Sequence, residues 1–188
     1  LLYSNSKKII SISVSEIEKL REFAQENSIG LTVVGPEAPL VLGIVDLFEA
    51  HNLPIYGPSK QAAELEGSKA FSKDIMKRYN IPTASYEVFT THSDAHNYIN
   101  TCTDFPIVIK ASGLAAGKGV VIPESKKEAL REIDEMMLDQ KFGNAADQVV
   151  IESFLKGEEA SVFAICDGDD FVLLSSAQDH KRIGEGDI

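Results

Sequence analysis

Two apolar triplets, Ile107-Val108-Ile109 and Val120-Val121-Ile122, enclose a segment made almost wholly of small residues, KASGLAAGKG over 110–119. Strand signals on both sides of a glycine-rich run describe a hairpin-like flap and not a strand-to-helix turn. Gly113, Gly117 and Gly119 permit backbone shapes that aim several N–H groups at one anion. Lys118 adds a mobile positive charge. Lys110 closes an apolar strand, so it is partly desolvated, which is how a fixed phosphate-binding charge is made. A Walker loop is excluded: only three residues separate Gly113 from Gly117, and Gly119 follows Lys118 where Ser or Thr would hold magnesium. The dinucleotide fingerprint fails too, since its glycine spacing is absent and no helix follows directly. Taken alone, these residues also fit a solvated loop with incidental lysines.

The segments around the flap divide into two styles. Over residues 1–58 helix and strand signals alternate. Ser15 with Glu18 forms a capping-box pattern, and Ile17, Leu20, Phe23 and Ala24 repeat at helical spacing. Leu31 to Val34 is a short strand ending at Gly35-Pro36. Leu40, Val41, Ile44, Val45 and Phe48 make one helical stripe, and Leu53 to Tyr56 is a second strand. Short Gly/Pro loops between them indicate a parallel, helix-covered sheet. Residues 59–83 read as two helices broken near Gly67. Beyond 84, strands over 86–89, 105–110, 120–122, 148–154, 160–166 and 171–176 outnumber helices over 91–100 and 125–137, which indicates an α+β domain on antiparallel sheet. Ser125 and Glu128 repeat the capping box, and DGDD over 167–170 is a hairpin turn.

Composition narrows the function classes. With 29 acidic against 18 basic side chains, the net charge of −11 argues against a protein that grips a nucleic-acid backbone. No run approaches the ~18 apolar residues of a membrane helix. Cys102 and Cys166 have neither disulfide nor zinc spacing and read as reduced cytosolic thiols. His51, His92 and His96 read as helix-surface residues without a role. Three further stretches carry chemistry. The strand VVIESFL (149–155), followed by GEE (157–159), offers an edge for a purine base and then a carboxylate for ribose; an ordinary strand ending in a turn is the other reading. QDHKR (178–182) concentrates basic residues in an acidic chain, as an anion site or a solvated run. GPEAPL (35–40) lies at the carboxyl end of a parallel strand, where ligands often bind, although Glu37 also suits a helix start.

Together GPEAPL (35–40), LEGSKAFSK (65–73), IPTA (81–84), VIKASGLAAGKGV (108–120), GEEAS (157–161) and AQDHKR (177–182) resemble, in order and spacing, the glycinamide ribonucleotide synthetase family of the ATP-grasp superfamily. The resemblance covers nearly the whole chain. It implies an α/β and α+β architecture: part of a Rossmann-like pre-ATP-grasp domain over 1–58, a helical connector over 59–83, and part of an ATP-grasp domain over 84–188 with a flap subdomain near 111–150. It implies ATP-dependent ligation of glycine to 5-phosphoribosylamine through a glycyl phosphate, in purine biosynthesis in the cytoplasm, without nucleic acid or membrane partners.

Residue by residue, the resemblance gives Lys69 and Lys110 to the ATP phosphates, and Gly113, Leu114, Ala115, Ala116, Gly117, Lys118 and Gly119 to the closing flap. Glu152, Ser153, Phe154 and Leu155 match the adenine hinge, with main-chain groups of Ser153 and Leu155 as partners, and Glu159 matches the ribose carboxylate. Glu37, Asp179, His180, Lys181 and Arg182 fall to the substrate side. No nucleophile or catalytic base is identified. Magnesium or manganese is implied, with its ligands outside this chain. Leu1 in place of Met, and an end at Ile188 amid GEGD, suggest a piece cut on both sides and inactive by itself. Another ATP-grasp carboxylate–amine ligase, or an inert nucleotide-binding module, are the alternative readings.

Overall fold

The computed structural model describes residues 9–115 and 117–178. They fall into two compact units, one reaching to Phe154 and one running from Leu155.

The first unit begins with helix α1 (Ile17–Glu26), strand β1 (Thr32–Val33), helices α2 (Glu37–Leu42) and α3 (Ile44–Ala50), and strand β2 (Ile55–Tyr56). β1 and β2 are parallel, with Thr32 opposite Ile55 and Val33 opposite Tyr56, as the alternating pattern requires. Ala24, Ile44, Val45 and Phe48 are buried together, and Ile17, Leu20, Leu40 and Leu53 pack around them. Two local expectations change. The capping box at Ser15 does not form, because α1 starts at Ile17 and no side chain caps it. Instead Ser13 N–H donates to Glu16 Oε2 at 3.1 Å, and the Glu16 carboxylate also pairs with Lys19. The stripe from Leu40 to Phe48 is two helices, since Gly43 adopts the left-handed conformation (φ +93°) and ends α2 before α3 begins.

Helices α4 (Lys60–Gly67) and α5 (Lys69–Arg78) follow, each capped by a serine: Ser59 Oγ accepts from Ala62 N–H, and Ser68 Oγ from Phe71 N–H. Lys60 N–H also donates to Asp46 Oδ2 at 2.7 Å, which ties α4 to α3. Next come β3 (Tyr86–Phe89), α6 (His92–Thr101), β4 (Ile107–Ala111), β5 (Val120–Val121), α7 (Lys126–Met137), a 3-10 turn (Gly143–Ala146) and β6 (Val149–Ser153). The sheet order is β3-β6-β4-β5, antiparallel throughout. The expected cap of α7 is present: Glu128 N–H donates to Ser125 Oγ, and Glu128 Oε2 accepts from Glu124 N–H.

The two faces of this sheet differ because strand side chains alternate. Ile107, Ile109 and Ala111 of β4 join Val149 and Ile151 of β6 in one core with Ile99 of α6 and with Ala129, Ile133 and Met136 of α7. Burying each of the large aliphatic side chains contributes about 1.5–3 kcal/mol. The opposite face carries Lys110, Glu152 and Tyr86: Glu152 sits opposite both Tyr86 and Val108, and Lys110 is one same-face step from Val108. The sheet thus places a carboxylate and a lysine diagonally adjacent on its non-core face, over α5.

In the second unit β8 (Ala164–Cys166) and β9 (Phe171–Leu173) form the expected hairpin, with Cys166 opposite Phe171. Asp167 Oδ1 accepts from the backbone N–H of Asp169 and Asp170 and closes the turn, and these bonds hold its carboxyl below the usual range. The run expected as one strand over 160–166 is two, since β7 (Ala160–Ser161) pairs not with β9 but with β10 (Ala177–Gln178).

Candidate nucleotide-phosphate site

The β4–β5 connection is fastened at its base by backbone hydrogen bonds. Ala111 N–H donates to Gly119 O at 2.8 Å, Ser112 N–H to Gln148 O at 2.8 Å, and Gly113 N–H to Ala145 O at 2.9 Å. Near its tip Lys118 N–H donates to Ala115 O at 2.9 Å. Four N–H groups are therefore engaged within the protein, and not every amide of the run is turned outward. Gly113 lies so close to the 3-10 turn that a Cβ there would sit 2.8 Å from Ala145 Cα. Ala116 lies outside the described residues; Gly117 and Lys118 are exposed.

The start of α5 is joined to this hairpin. Lys69 N–H donates to Ser112 O at 2.8 Å and Ala70 N–H to Ser112 Oγ at 3.1 Å, while Ser68 Oγ stands 3.4 Å from Ser112 Oγ. Lys69 Nζ donates to Gly113 O at 3.1 Å. Burial pushes the Lys69 ammonium below the usual lysine pKa; Glu66 opposes that shift and the charge of Lys110 adds to it. Two lysines from separate elements are thus within electrostatic reach beside one glycine hairpin. The buried Ser112 that joins them was not singled out from the sequence.

Lys110 does not stand alone. Its Nζ is 2.9 Å from Glu152 Oε1, and Glu152 Oε2 is 3.0 Å from Lys73 Nζ. Glu152 is 6% exposed and Lys73 is likewise buried. Lys73 also donates to Thr83 Oγ1 at 2.6 Å and lies 5.3 Å from the centre of the Tyr86 ring. Sequence reading missed Lys73 and Thr83, although both lie within the quoted LEGSKAFSK and IPTA segments. Lys73 is one helical turn after Lys69, but nothing local marks a strand carboxylate as its partner.

The proposed adenine hinge needs one correction. β6 is not an edge strand: β3 and β4 flank it, and Ser153 N–H is already given to Ser85 O at 2.9 Å. Leu155 and Glu159 belong to the second unit, and both are exposed. Glu37 is the exposed first residue of α2, where a carboxylate suits the helix start; none of the contacts that assemble the lysine–hairpin cluster is made by it. Asp179, His180, Lys181 and Arg182 lie outside the described residues. Among the described residues no three His, Cys, Asp or Glu side chains gather where a metal ion could be held. No helix among them is long and apolar enough to cross a membrane.

The described residues form a mixed sheet-and-helix fold. Solved structures share it: the biotin carboxylase domain of a Hydrogenobacter thermophilus 2-oxoglutarate carboxylase superposes with a TM-score of 0.74 at 20% identity, over 93% of this chain and 40% of that one. A phosphoribosylamine–glycine ligase from Thermotoga maritima gives 0.69 at 35% identity, over 83% of this chain and 38% of that one. The phosphoribosylglycinamide synthetase ATP-grasp (A) domain model matches residues 67–188, and the N domain model of the same family matches residues 3–66. The chain belongs to the phosphoribosylglycinamide synthetase family. It is 55% identical over 176 residues to a phosphoribosylamine–glycine ligase from Chlorobaculum tepidum, covering 94% of this chain and 41% of that protein. It is 53% identical over 178 residues to a bifunctional purine biosynthetic protein of Pichia angusta, covering 95% of this chain and 22% of that protein. The chain thus spans about two fifths of the single-function ligase's length.

Proposed function

We propose that the protein containing this chain ligates glycine to 5-phosphoribosylamine at the expense of ATP, giving glycinamide ribonucleotide, ADP and phosphate in cytoplasmic purine biosynthesis. The observation that carries the reading is the Lys69 Nζ bond to Gly113 O of the glycine hairpin, whose strand base holds Lys110 opposite Val120, in a chain of this family. In outline, a glycine carboxylate oxygen attacks the γ-phosphorus of ATP and ADP leaves. The amine of phosphoribosylamine then attacks the acyl carbon, expels phosphate and loses a proton. Such transfers require fixed positive charge and alignment more than covalent help from the protein. Lys69 and Lys110 supply charge at the phosphates, and Gly113 to Gly119 close over them with Lys118.

On the family resemblance alone, main-chain groups of Ser153 and Leu155 are assigned to adenine and Glu159 to ribose. Glu37 and Asp179 to Arg182 are assigned to the substrate side. The same resemblance divides the chain at 1–58, 59–83 and 84–188. A divalent cation, magnesium or manganese, would neutralise phosphate charge when bound, with its ligands assigned outside this chain. The test is ADP release by the full-length protein. Release that requires both glycine and 5-phosphoribosylamine is expected; ATP turnover indifferent to the amine would overturn the reading.

A further inference from the structure

We infer that Lys73, which lies in α5 and not in the hairpin, is a positioning residue for nucleotide binding: it takes up part of the Glu152 charge so that Lys110 stays available to a phosphate. The inference rests on the reading of Lys110 as a phosphate contact. Three observations support it. First, one carboxylate serves two ammonium groups. Glu152 approaches Lys73 at 3.0 Å through Oε2 and Lys110 at 2.9 Å through Oε1, so the cluster keeps one net positive charge. Second, the two lysines are unequal. The Lys73 side chain is 9% exposed and is fixed further by Thr83 Oγ1 and the Tyr86 ring, whereas that of Lys110 is 27% exposed. Despite the close approach of Lys110, Glu152 Oε1 is buried without an aligned hydrogen bond. Both lysines are held to Glu152 by charge, but Lys73 is also fixed by its hydrogen bond to Thr83 Oγ1, so the more exposed Lys110 is the partner freer to turn toward an incoming anion. Third, the register fixes this arrangement, because Glu152 lies opposite Val108 and Lys110 is two residues along the same strand.

Burying a lysine costs desolvation, and a structural filler at position 73 could be apolar. The charge has a use in the electrostatics. If Lys73 is made neutral, Glu152 retains one cationic partner, and the low-dielectric pair closes on Lys110. The phosphate site then loses one effective positive charge while the chain keeps every residue of the hairpin.

The test uses full-length protein, a non-hydrolysable ATP analogue, titration calorimetry and steady-state kinetics. Lys73→Met is expected to weaken analogue binding by about tenfold, the loss of one charge-assisted contact, and to raise the KM for ATP with kcat within about twofold. Lys73→Gln, which retains a donor for Thr83 but no charge, is expected to behave alike and serves if Lys73→Met does not fold. In a Glu152→Gln background, removing the Lys73 charge is expected to change binding less than about twofold, because no carboxylate remains to capture Lys110. Equal weakening in both backgrounds, or loss of melting temperature with unchanged affinity, would overturn the inference and leave Lys73 a structural residue. Lys110→Ala separates the two layers. If it leaves analogue binding unchanged, the phosphate reading of Lys110 fails and this inference with it. If it weakens binding while Lys73→Met and Lys73→Gln do not, the inference alone fails.

Discussion

Gly113→Ala tests whether the hairpin is held to the body of the domain by close backbone contact. A Cβ at position 113 would meet Ala145 Cα at 2.8 Å, Ala145 Cβ at 3.1 Å and Ala145 O at 3.4 Å. Carbon atoms prefer separations of about 3.5–4.0 Å, so the closest contact must open by roughly 1 Å. The obstacle is backbone in the 3-10 turn and cannot rotate aside. The same displacement lengthens the 2.9 Å bond from Gly113 N–H to Ala145 O. Overpacking costs about 1–3 kcal/mol, and the strained hydrogen bond about 0.5–1.5 kcal/mol more. The expected destabilisation is therefore about 2–4 kcal/mol, unless the hairpin lifts off and carries the Lys69 Nζ acceptor, Gly113 O, away with it. Gly117→Ala is the control: its Cβ meets nothing within 4 Å, and the cost is only that of the left-handed φ of +74°, about 1–2 kcal/mol. Thermal melting by circular dichroism, at about 2–4 °C per kcal/mol for a domain of this size, should rank Gly113→Ala well below Gly117→Ala. Analogue binding should weaken in the first and hold better in the second. A Gly113→Ala protein that melts with the parent, or above Gly117→Ala, would refute the close-contact argument.

Three other substitutions or conditions probe separate parts of the structure. Ile133→Ala, at a fully buried site between α7 and the sheet, should cost about 2–5 kcal/mol in denaturant unfolding; a loss under 1 kcal/mol would mean the core refills. Ser125→Ala removes the α7 cap and should cost about 1 kcal/mol, with nucleotide binding untouched. Lys69 has a folded pKa below the usual lysine value, so the unfolded chain holds that proton more tightly. Its contribution to stability is then least favourable below the folded pKa and improves as pH rises toward about 10.4. Phosphate favours the charged form, so analogue binding within that range, where the free protein has begun to lose the Lys69 proton, should take up protons, seen by calorimetry in buffers of different ionisation enthalpy. Lys69→Met should abolish the uptake; uptake that survives the substitution would assign it to another group.

The hairpin was legible because an apolar triplet, a glycine run and a second triplet leave few conformations, and the α7 cap because Ser125 and Glu128 act on adjacent backbone. The failures have a common physical cause. Gly43 could continue or break a helix; here it takes the left-handed φ of +93°, with Lys60 packed close where a side chain would stand. β6 looked like a strand with an open side because chain order does not reveal that β3 and β4 flank it. Lys73 was invisible for the same reason: its meaning depends on Glu152, which only the sheet register brings beneath α5.

Transfer of an isotope label tests the proposed ligation most directly. Full-length protein would be given ATP, 5-phosphoribosylamine and glycine carrying oxygen-18 in its carboxylate, and the released phosphate examined by mass spectrometry or phosphorus NMR. A glycyl phosphate keeps one glycine oxygen in its bridge, and attack of the amine on the acyl carbon leaves that oxygen on phosphorus. One labelled oxygen per phosphate formed is the expected result. Phosphate released without label, alongside formation of the amide product, would contradict the proposed chemistry.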